Sequence, residues 1–182
     1  MEDLLSALAH RHGAESGCVL IGASFGGLLA AALARRLQAR ALVLLNPLPP
    51  APFQQPGQAR MNIAPSAALR PWGLDARLAG TQAALPELRG GEALLAFRRW
   101  TDFVGALLAE AQSGYCVEPP DCPVLVVQSE QDEVIDPRAV EAMVAGWRAS
   151  HLRLPGSHVS PLLGRGWWAS FEGVRAWLTA LD

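Results

Sequence analysis

Apolar runs and helical spacings of apolar residues follow one another along the chain, and together they predict its secondary structure. Short apolar runs, typical of buried strands, lie at residues 18–21, 41–45, 124–128 and 151–154. Apolar residues spaced three and four apart predict helices at residues 4–11, 25–38, 137–147 and 167–181. Because strands and helices alternate, we expect an α/β domain whose mainly parallel sheet has about four strands.

The middle of the chain interrupts this alternation. Residues 46–91 contain most of the prolines and show no sustained period, which favours an excursion from the core fold over a linker. Apolar residues then recur at helical spacing from Leu94 to Ala111 and predict one amphipathic helix that returns the chain to the core. We therefore expect a single domain over residues 1–182 that contains an insertion over residues 46–120.

Composition narrows the class of protein. The chain has 182 residues, is 51% hydrophobic and carries a net charge of -2, without a basic cluster for nucleic acid or anionic lipid. Its three cysteines, Cys18, Cys116 and Cys122, form no C-x-x-C pair, and the first residues are not basic as in a secretory signal. A cytoplasmic protein with reduced thiols and a small-molecule partner is the expectation.

A membrane-spanning helix is the rival interpretation of residues 17–34, which contain no charge and include a G-x-x-x-G spacing. Four glycines and a serine within this segment favour a strand followed by a sharp turn and a helix. We expect no membrane segment, and a bilayer helix remains the alternative.

A possible nucleophile lies in that turn. The residues Gly22-Ala23-Ser24-Phe25-Gly26 fit the pattern G-x-S-x-G between a predicted strand and a predicted helix. Gly22 and Gly26 allow a sharp turn that leaves Ser24 strained and accessible, and the Phe25 N–H can donate to a developing oxyanion. The alternative is a glycine-rich turn in which Ser24 only caps the helix.

A serine hydroxyl needs a histidine to accept its proton and a carboxylate to orient that histidine. His158 follows the last predicted strand on the loop Pro155-Gly156-Ser157-His158, from which a side chain can reach over the carboxyl edge of the sheet. The alternative is that His158 is only an exposed loop residue. The other histidines fit structural or solvated positions; these are His10, His12 and His151.

Several acids follow the preceding strand and compete for the carboxylate role. Asp132 lies in the turn directly after that strand, and we prefer it. Asp136 precedes Pro137 at a predicted helix start and suits an N-cap, although it remains the alternative acid. Glu130 and Glu133 are interpreted as solvated charges.

The order Ser24, Asp132, His158, each after a successive strand, resembles the α/β-hydrolase superfamily, in particular its serine esterases and thioesterases. The resemblance spans nearly the whole chain. The family's acid motif G-x-x-D-x-x-V-P is similar to residues 129–137, with Ser129 in place of the glycine and Asp136 where a proline is common.

The resemblance implies hydrolysis of a carboxylic ester or thioester with a small or apolar acyl group through an acyl-enzyme. It implies no cofactor and no metal. Residues 46–120 would form a lid, and four aromatic residues would line an acyl pocket or would pack only the core of the insertion: Phe53, Trp72, Trp100 and Phe103. A non-catalytic binding or interaction module of the same fold is the alternative function.

Family members place several strands before the nucleophile, and a loop among them supplies a second oxyanion donor. Few residues precede Ser24 here, so the resemblance implies a partly truncated sheet in which the strand at residues 18–21 has an unpaired edge. The corresponding hypotheses are that the chain is a fragment of a longer hydrolase, or that two copies associate through this edge.

Overall fold

Four strands and eight helices make up the described part of the chain. The structure is a computed structural model, which describes residues 1–13, 17–54, 77–99, 103–163 and 166–181. The strands are β1 (Val19–Ala23), β2 (Ala41–Leu45), β3 (Val124–Ser129) and β4 (Ser150–Leu154). The helices are α1 (Glu2–His12), α2 (Phe25–Ala34), α3 (Leu78–Ala84), α4 (Gly91–Phe97), α5 (Gly105–Gln112), α6 (Pro137–Trp147), α7 (Ser160–Leu163) and α8 (Trp167–Thr179).

The strands form one parallel sheet in the order β1-β2-β3-β4. Every residue of β2 and β3 is buried, as expected for the central strands of a parallel sheet that is covered on both faces. All four strands run the same way, so the loops that follow them meet at one edge of the sheet. The predicted α/β architecture with a parallel, four-stranded sheet flanked by helices is confirmed.

Alternate residues of the strands serve two separate hydrophobic layers. Leu42, Leu44 and Val126 belong to the larger core, which α2, α5 and α6 complete. Val43 and Val127 face the opposite side, where α8 packs. The period-two alternation of strand side chains therefore assigns each strand to both layers at once.

The prediction of one helix between Leu94 and Ala111 is wrong. Helix α4 ends at Phe97, Val104 is extended, and α5 begins at Gly105. The apolar residues on the two sides of this break serve different surfaces, because those of α4 join a small cluster with α7 whereas those of α5 join the main core. The helical spacing of apolar residues continues across the break, although α4 and α5 pack against different parts of the protein.

Strand β1 lies at the edge of the sheet and, among the described strands, pairs only with β2. The side chain of Ile21 on this edge is 58% exposed. An edge of this kind can accept a further strand. Association of two copies through β1 stays a prediction.

The uncharged segment at residues 17–34 forms the strand β1 and the helix α2, joined by a turn at Ser24. None of the helices within the described ranges is long and apolar enough to cross a bilayer. The alternative of a membrane-spanning helix in this segment is therefore wrong.

Candidate active site

Ser24 occupies the sharp turn between β1 and α2. Its backbone has φ 51° and ψ -123°, a conformation that a residue with a side chain rarely adopts and that costs about 1–3 kcal/mol. Three backbone hydrogen bonds hold it: Ser24 N donates to Leu45 O at 3.0 Å, and Ser24 O accepts from Gly27 N and Leu48 N at 2.9 Å each. The backbone strain is therefore at Ser24 itself, and these three hydrogen bonds stabilise the strained conformation.

The two glycines of the motif have different roles. A Cβ at Gly22 would collide with the Gly26 carbonyl oxygen and would lie 2.8 Å from the Cβ of Ala30, so α2 can approach β1 only if residue 22 is glycine. A Cβ at Gly26 would have no neighbour within 4 Å. The expectation that both glycines are needed for the turn is therefore corrected: close packing requires Gly22 alone.

We expect Gly22→Ala to destabilise the fold by about 1–3 kcal/mol or more, because the clash involves backbone rather than a flexible side chain. Gly26→Ala is the matched control and should leave stability unchanged or slightly raised, since alanine favours a helix over glycine by about 1 kcal/mol. Urea unfolding of the two variants measures the difference. Equal free energies of unfolding would contradict this account of the turn.

The three residues that the sequence nominated lie together. His158 Nε2 is 2.9 Å from Ser24 Oγ, and His158 Nδ1 is 2.8 Å from Asp132 Oδ2. The side chains of His158 and Asp132 are 6% and 4% exposed, respectively. An imidazole that bridges a hydroxyl and a shielded carboxylate in this way can accept a proton on one nitrogen while the other stays oriented.

The two oxygens of Asp132 have separate partners. Oδ1 accepts hydrogen bonds from Val134 N at 2.9 Å and Ile135 N at 3.0 Å, which leaves Oδ2 for His158. Asp136 instead caps α6 by accepting from Arg138 N at 3.0 Å, one residue beyond Pro137. The structure thus places Asp132, and not Asp136, against the histidine.

Backbone hydrogen bonds join the loop that carries His158 to the loop that carries Asp132. Glu130 N donates to Leu154 O at 2.9 Å, and Gln131 N donates to Gly156 O at 3.1 Å. Gly156 has φ 127°, and a Cβ there would lie 2.6 Å from the Ser160 side chain, so this position requires glycine. Two main-chain hydrogen bonds therefore link the two loops directly.

The remaining histidines lie elsewhere. His151 on β4 pairs with Gln128 Oε1 at 2.8 Å, and burial, followed by repulsion from Arg153, lowers the pKa of His151. His10 and His12 belong to the last turn of α1.

Burial also raises the pKa of the Cys122 thiol, which makes this sulfur a weaker nucleophile.

A cavity of about 570 Å³ opens beside Ser24 and His158. Its walls come mainly from α1, α2, α5 and α7, and the described residues that line it include no Lys, Arg, Asp or Glu. Apart from Ser24 and His158, the one polar residue among them is Gln112. The candidate site therefore places the polar side chains of Ser24 and His158 beside an apolar cavity.

Of the four aromatic residues expected in the pocket, two lie within the described residues, and one of these two lines the cavity. Phe103 lines the cavity and packs edge-on against Phe25, with ring centroids 5.1 Å apart. The structure places Phe53 away from this cavity, where its ring contacts Trp147 of α6 at 5.9 Å beside Gly146. Trp72 and Trp100 lie outside the described residues.

Sequence reasoning missed the contribution of α1 to the cavity. Leu4 and Leu8, one helical turn apart, form part of its wall. Their spacing was visible as one apolar stripe, but a stripe does not tell which surface it covers.

Phe25 begins α2, and the N–H groups of a first helical turn have no carbonyl partner within the helix, so its N–H is available to an oxyanion.

Solved structures with the same fold include three hydrolases. The esterase RhEst1 from a Rhodococcus species superimposes with a TM-score of 0.62 at 20% identity, covering 98% of this chain and 70% of that one. The RedJ thioesterase of Streptomyces coelicolor gives 0.60 at 24% identity, covering 100% and 71%, and a monoacylglycerol lipase of Paleococcus ferrophilus gives 0.62 at 15%, covering 100% and 76%. At these identities the likeness shows the shared fold.

A sequence comparison addresses the family directly. No curated protein matched the chain. The family model described as "Alpha/beta hydrolase family" matches residues 1–168, which is most of the sequence. The chain belongs to the α/β-hydrolase family.

Proposed function

We propose that the chain is a serine hydrolase that cleaves a carboxylic ester or thioester through an acyl-enzyme, without a metal or organic cofactor. The observation that carries the proposal is the position of the His158 ring. It lies within hydrogen-bond distance of both Ser24 Oγ and Asp132 Oδ2 and lines an apolar cavity. Esterases and thioesterases among its structural neighbours agree with this chemistry.

The mechanism follows from these contacts. Ser24 Oγ attacks the carbonyl carbon while His158 Nε2 takes the hydroxyl proton, and Asp132 holds Nδ1 protonated and stabilises the imidazolium. The Phe25 N–H at the start of α2 donates to the oxyanion. His158 then returns the proton to the leaving alcohol or thiol, and water attacks the acyl-enzyme by the reverse proton path.

The cavity sets the expected acyl group. Its volume of about 570 Å³ lies within the range of pockets that enclose small organic ligands. Walls without a charged side chain favour an uncharged, apolar chain, since an unpaired charge is costly to bury. We propose an apolar acyl group as the substrate feature that this site recognises.

The inserted segment borders the cavity and supports the proposal of a lid. Leu85 and Leu88, between α3 and α4, and Ala93 and Ala96 of α4 form a small apolar cluster. They pack against Val159 and Leu163, both of which also line the cavity. Movement of these helices would change the access to Ser24. Residues 46–120 are accordingly proposed to act as a lid, with Phe103 on its inner surface.

Paired ester substrates test the proposal. The protein is incubated with p-nitrophenyl hexanoate and with the matching ester whose acyl chain ends in a carboxylate. We expect p-nitrophenol release, a transient acyl adduct in the intact mass, and a kcat/KM about 10²-fold higher for the uncharged chain. Reversible binding of the ester without any adduct or turnover would instead favour a non-catalytic binding module.

A pair of lysine variants tests the role of the cavity in this preference. Leu8→Lys places an ammonium in the cavity wall and should reduce the preference for the uncharged chain about tenfold. Leu95→Lys is the matched control, because Leu95 is exposed and does not line the cavity. An unchanged preference in both variants would show that the acyl chain binds elsewhere.

A further inference from the structure

Asn46, the residue that follows β2, is buried with 1% of its surface exposed and belongs to none of the motifs discussed above. We infer that Asn46 is a positioning residue that holds the His158 and Asp132 loops at the separation that the proton transfer requires. This inference rests on the proposed function, since it assigns Asn46 a part in the same reaction centre.

The amide of Asn46 joins the two loops directly. Its Oδ1 accepts from Ser129 N at 2.7 Å, at the end of β3 and directly before the loop that carries Asp132. Its Nδ2 donates to Ser129 Oγ at 2.9 Å and to the main-chain oxygen of His158 at 2.7 Å. Both ends of the amide are therefore paired, and a reversed amide would set oxygen against oxygen at His158.

The same segment of chain also anchors the nucleophile. Leu45 O accepts from Ser24 N, and Leu48 N donates to Ser24 O, at 3.0 Å and 2.9 Å. Asn46 N donates to Val127 O at 2.8 Å, which ties the segment to β3. Residues 45–48 thus contact the loops of all three proposed catalytic residues, and the Asn46 amide is the part that reaches His158.

The backbone at Asn46 explains why few residues could replace it. Its φ of 42° lies in the left-handed region, which asparagine and glycine tolerate better than other residues. Glycine would therefore accept the backbone but lack the amide. Aspartate would keep an acceptor for Ser129 N but present an oxygen to the His158 carbonyl.

Loss of the amide should affect chemistry more than binding. Asn46 does not line the cavity, whereas a misplacement of about 1 Å in a catalytic group can cost about 10²-fold in rate. We expect Asn46→Gly to lower kcat by about 10–100-fold with KM nearly unchanged. The NMR signal of the His158 Nδ1 proton, bonded to Asp132 in the native protein, should broaden or shift.

Ser129→Ala is the matched control. It removes the Ser129 hydroxyl from Asn46 but leaves the bonds from Ser129 N and to the His158 carbonyl in place. It should lower the urea midpoint of unfolding, as the loss of a buried hydrogen bond does, and leave kcat within about twofold of the native value. This variant separates a loss of stability from a loss of positioning.

The test combines kinetics on p-nitrophenyl hexanoate, urea unfolding and the His158 ring signal for both variants. If Asn46→Gly does not fold, Asn46→Asp replaces it, with the same expected loss of kcat because the contact to the His158 carbonyl is lost. A native kcat and ring signal in a folded Asn46 variant would overturn the inference. The ring signal needs no substrate, so native protein without turnover would refute the proposed function while still testing Asn46.

Discussion

Replacement of Ser24 by alanine is expected to lower kcat for ester hydrolysis by about 10⁶, the scale seen when a serine protease loses its nucleophile. The expectation follows from the 2.9 Å contact between Ser24 Oγ and His158 Nε2, through which the proposed base would take the proton of this hydroxyl. Alanine removes only the oxygen, so the three backbone hydrogen bonds at residue 24 can persist. Initial rates and the acyl adduct in the intact mass measure the loss.

Ser113→Ala provides the matched control for this change. Ser113 is exposed at the end of α5 and its hydroxyl donates to the nearby Glu110 carbonyl oxygen at 2.7 Å, so the loss of this hydroxyl should leave kcat unchanged. Folding of both variants is compared by circular dichroism. Turnover by a folded Ser24→Ala protein at a rate near the native one would show that another group attacks the ester.

Replacement of Asp132 by asparagine is expected to lower kcat by about 10⁴ while the fold stays intact. Asparagine can keep Oδ1 as the acceptor for Val134 N and Ile135 N, so the loop retains its shape. Its amide would then donate to His158 Nδ1 and place the remaining ring proton on Nε2. A protonated Nε2 cannot accept the proton of Ser24.

Asp136→Asn is the matched control, because both residues are aspartates of the same loop and asparagine is also a good N-cap. We expect near-native kcat and stability for this variant. Steady-state kinetics of the two variants, with urea unfolding, decide between the carboxylates. A large loss from Asp136→Asn with little loss from Asp132→Asn would reverse their assignment.

Local features of the sequence were sufficient to predict that Ser24, Asp132 and His158 meet at one edge of the sheet. Each nominated residue follows an apolar run, and loops after parallel strands necessarily meet at their carboxyl ends. The choice of Asp132 over Asp136 depended on local chemistry too, since a residue before Pro137 is suited to capping a helix. Each of these features involves only a few neighbouring residues and can therefore be recognised from the sequence alone.

Features that depend on distant packing were not predictable. The break between α4 and α5 reflects two different packing partners for one periodic stripe. Phe53 packs on α6 because Gly146 leaves room for its ring, and no local pattern joins these two residues. Asn46 acts through partners far along the chain, at Ser129 and His158, so its sequence context gave no signal.

Active-site labelling tests the central claim most directly. A fluorophosphonate reacts covalently with an activated serine, and peptide mass spectrometry locates the adduct. We predict a single adduct on Ser24 in the native protein, and a labelling rate that falls steeply in His158→Gln, because this variant lacks the ring proposed to activate Ser24 Oγ. An adduct on another residue, or a rate on Ser24 that does not depend on His158, would contradict the account.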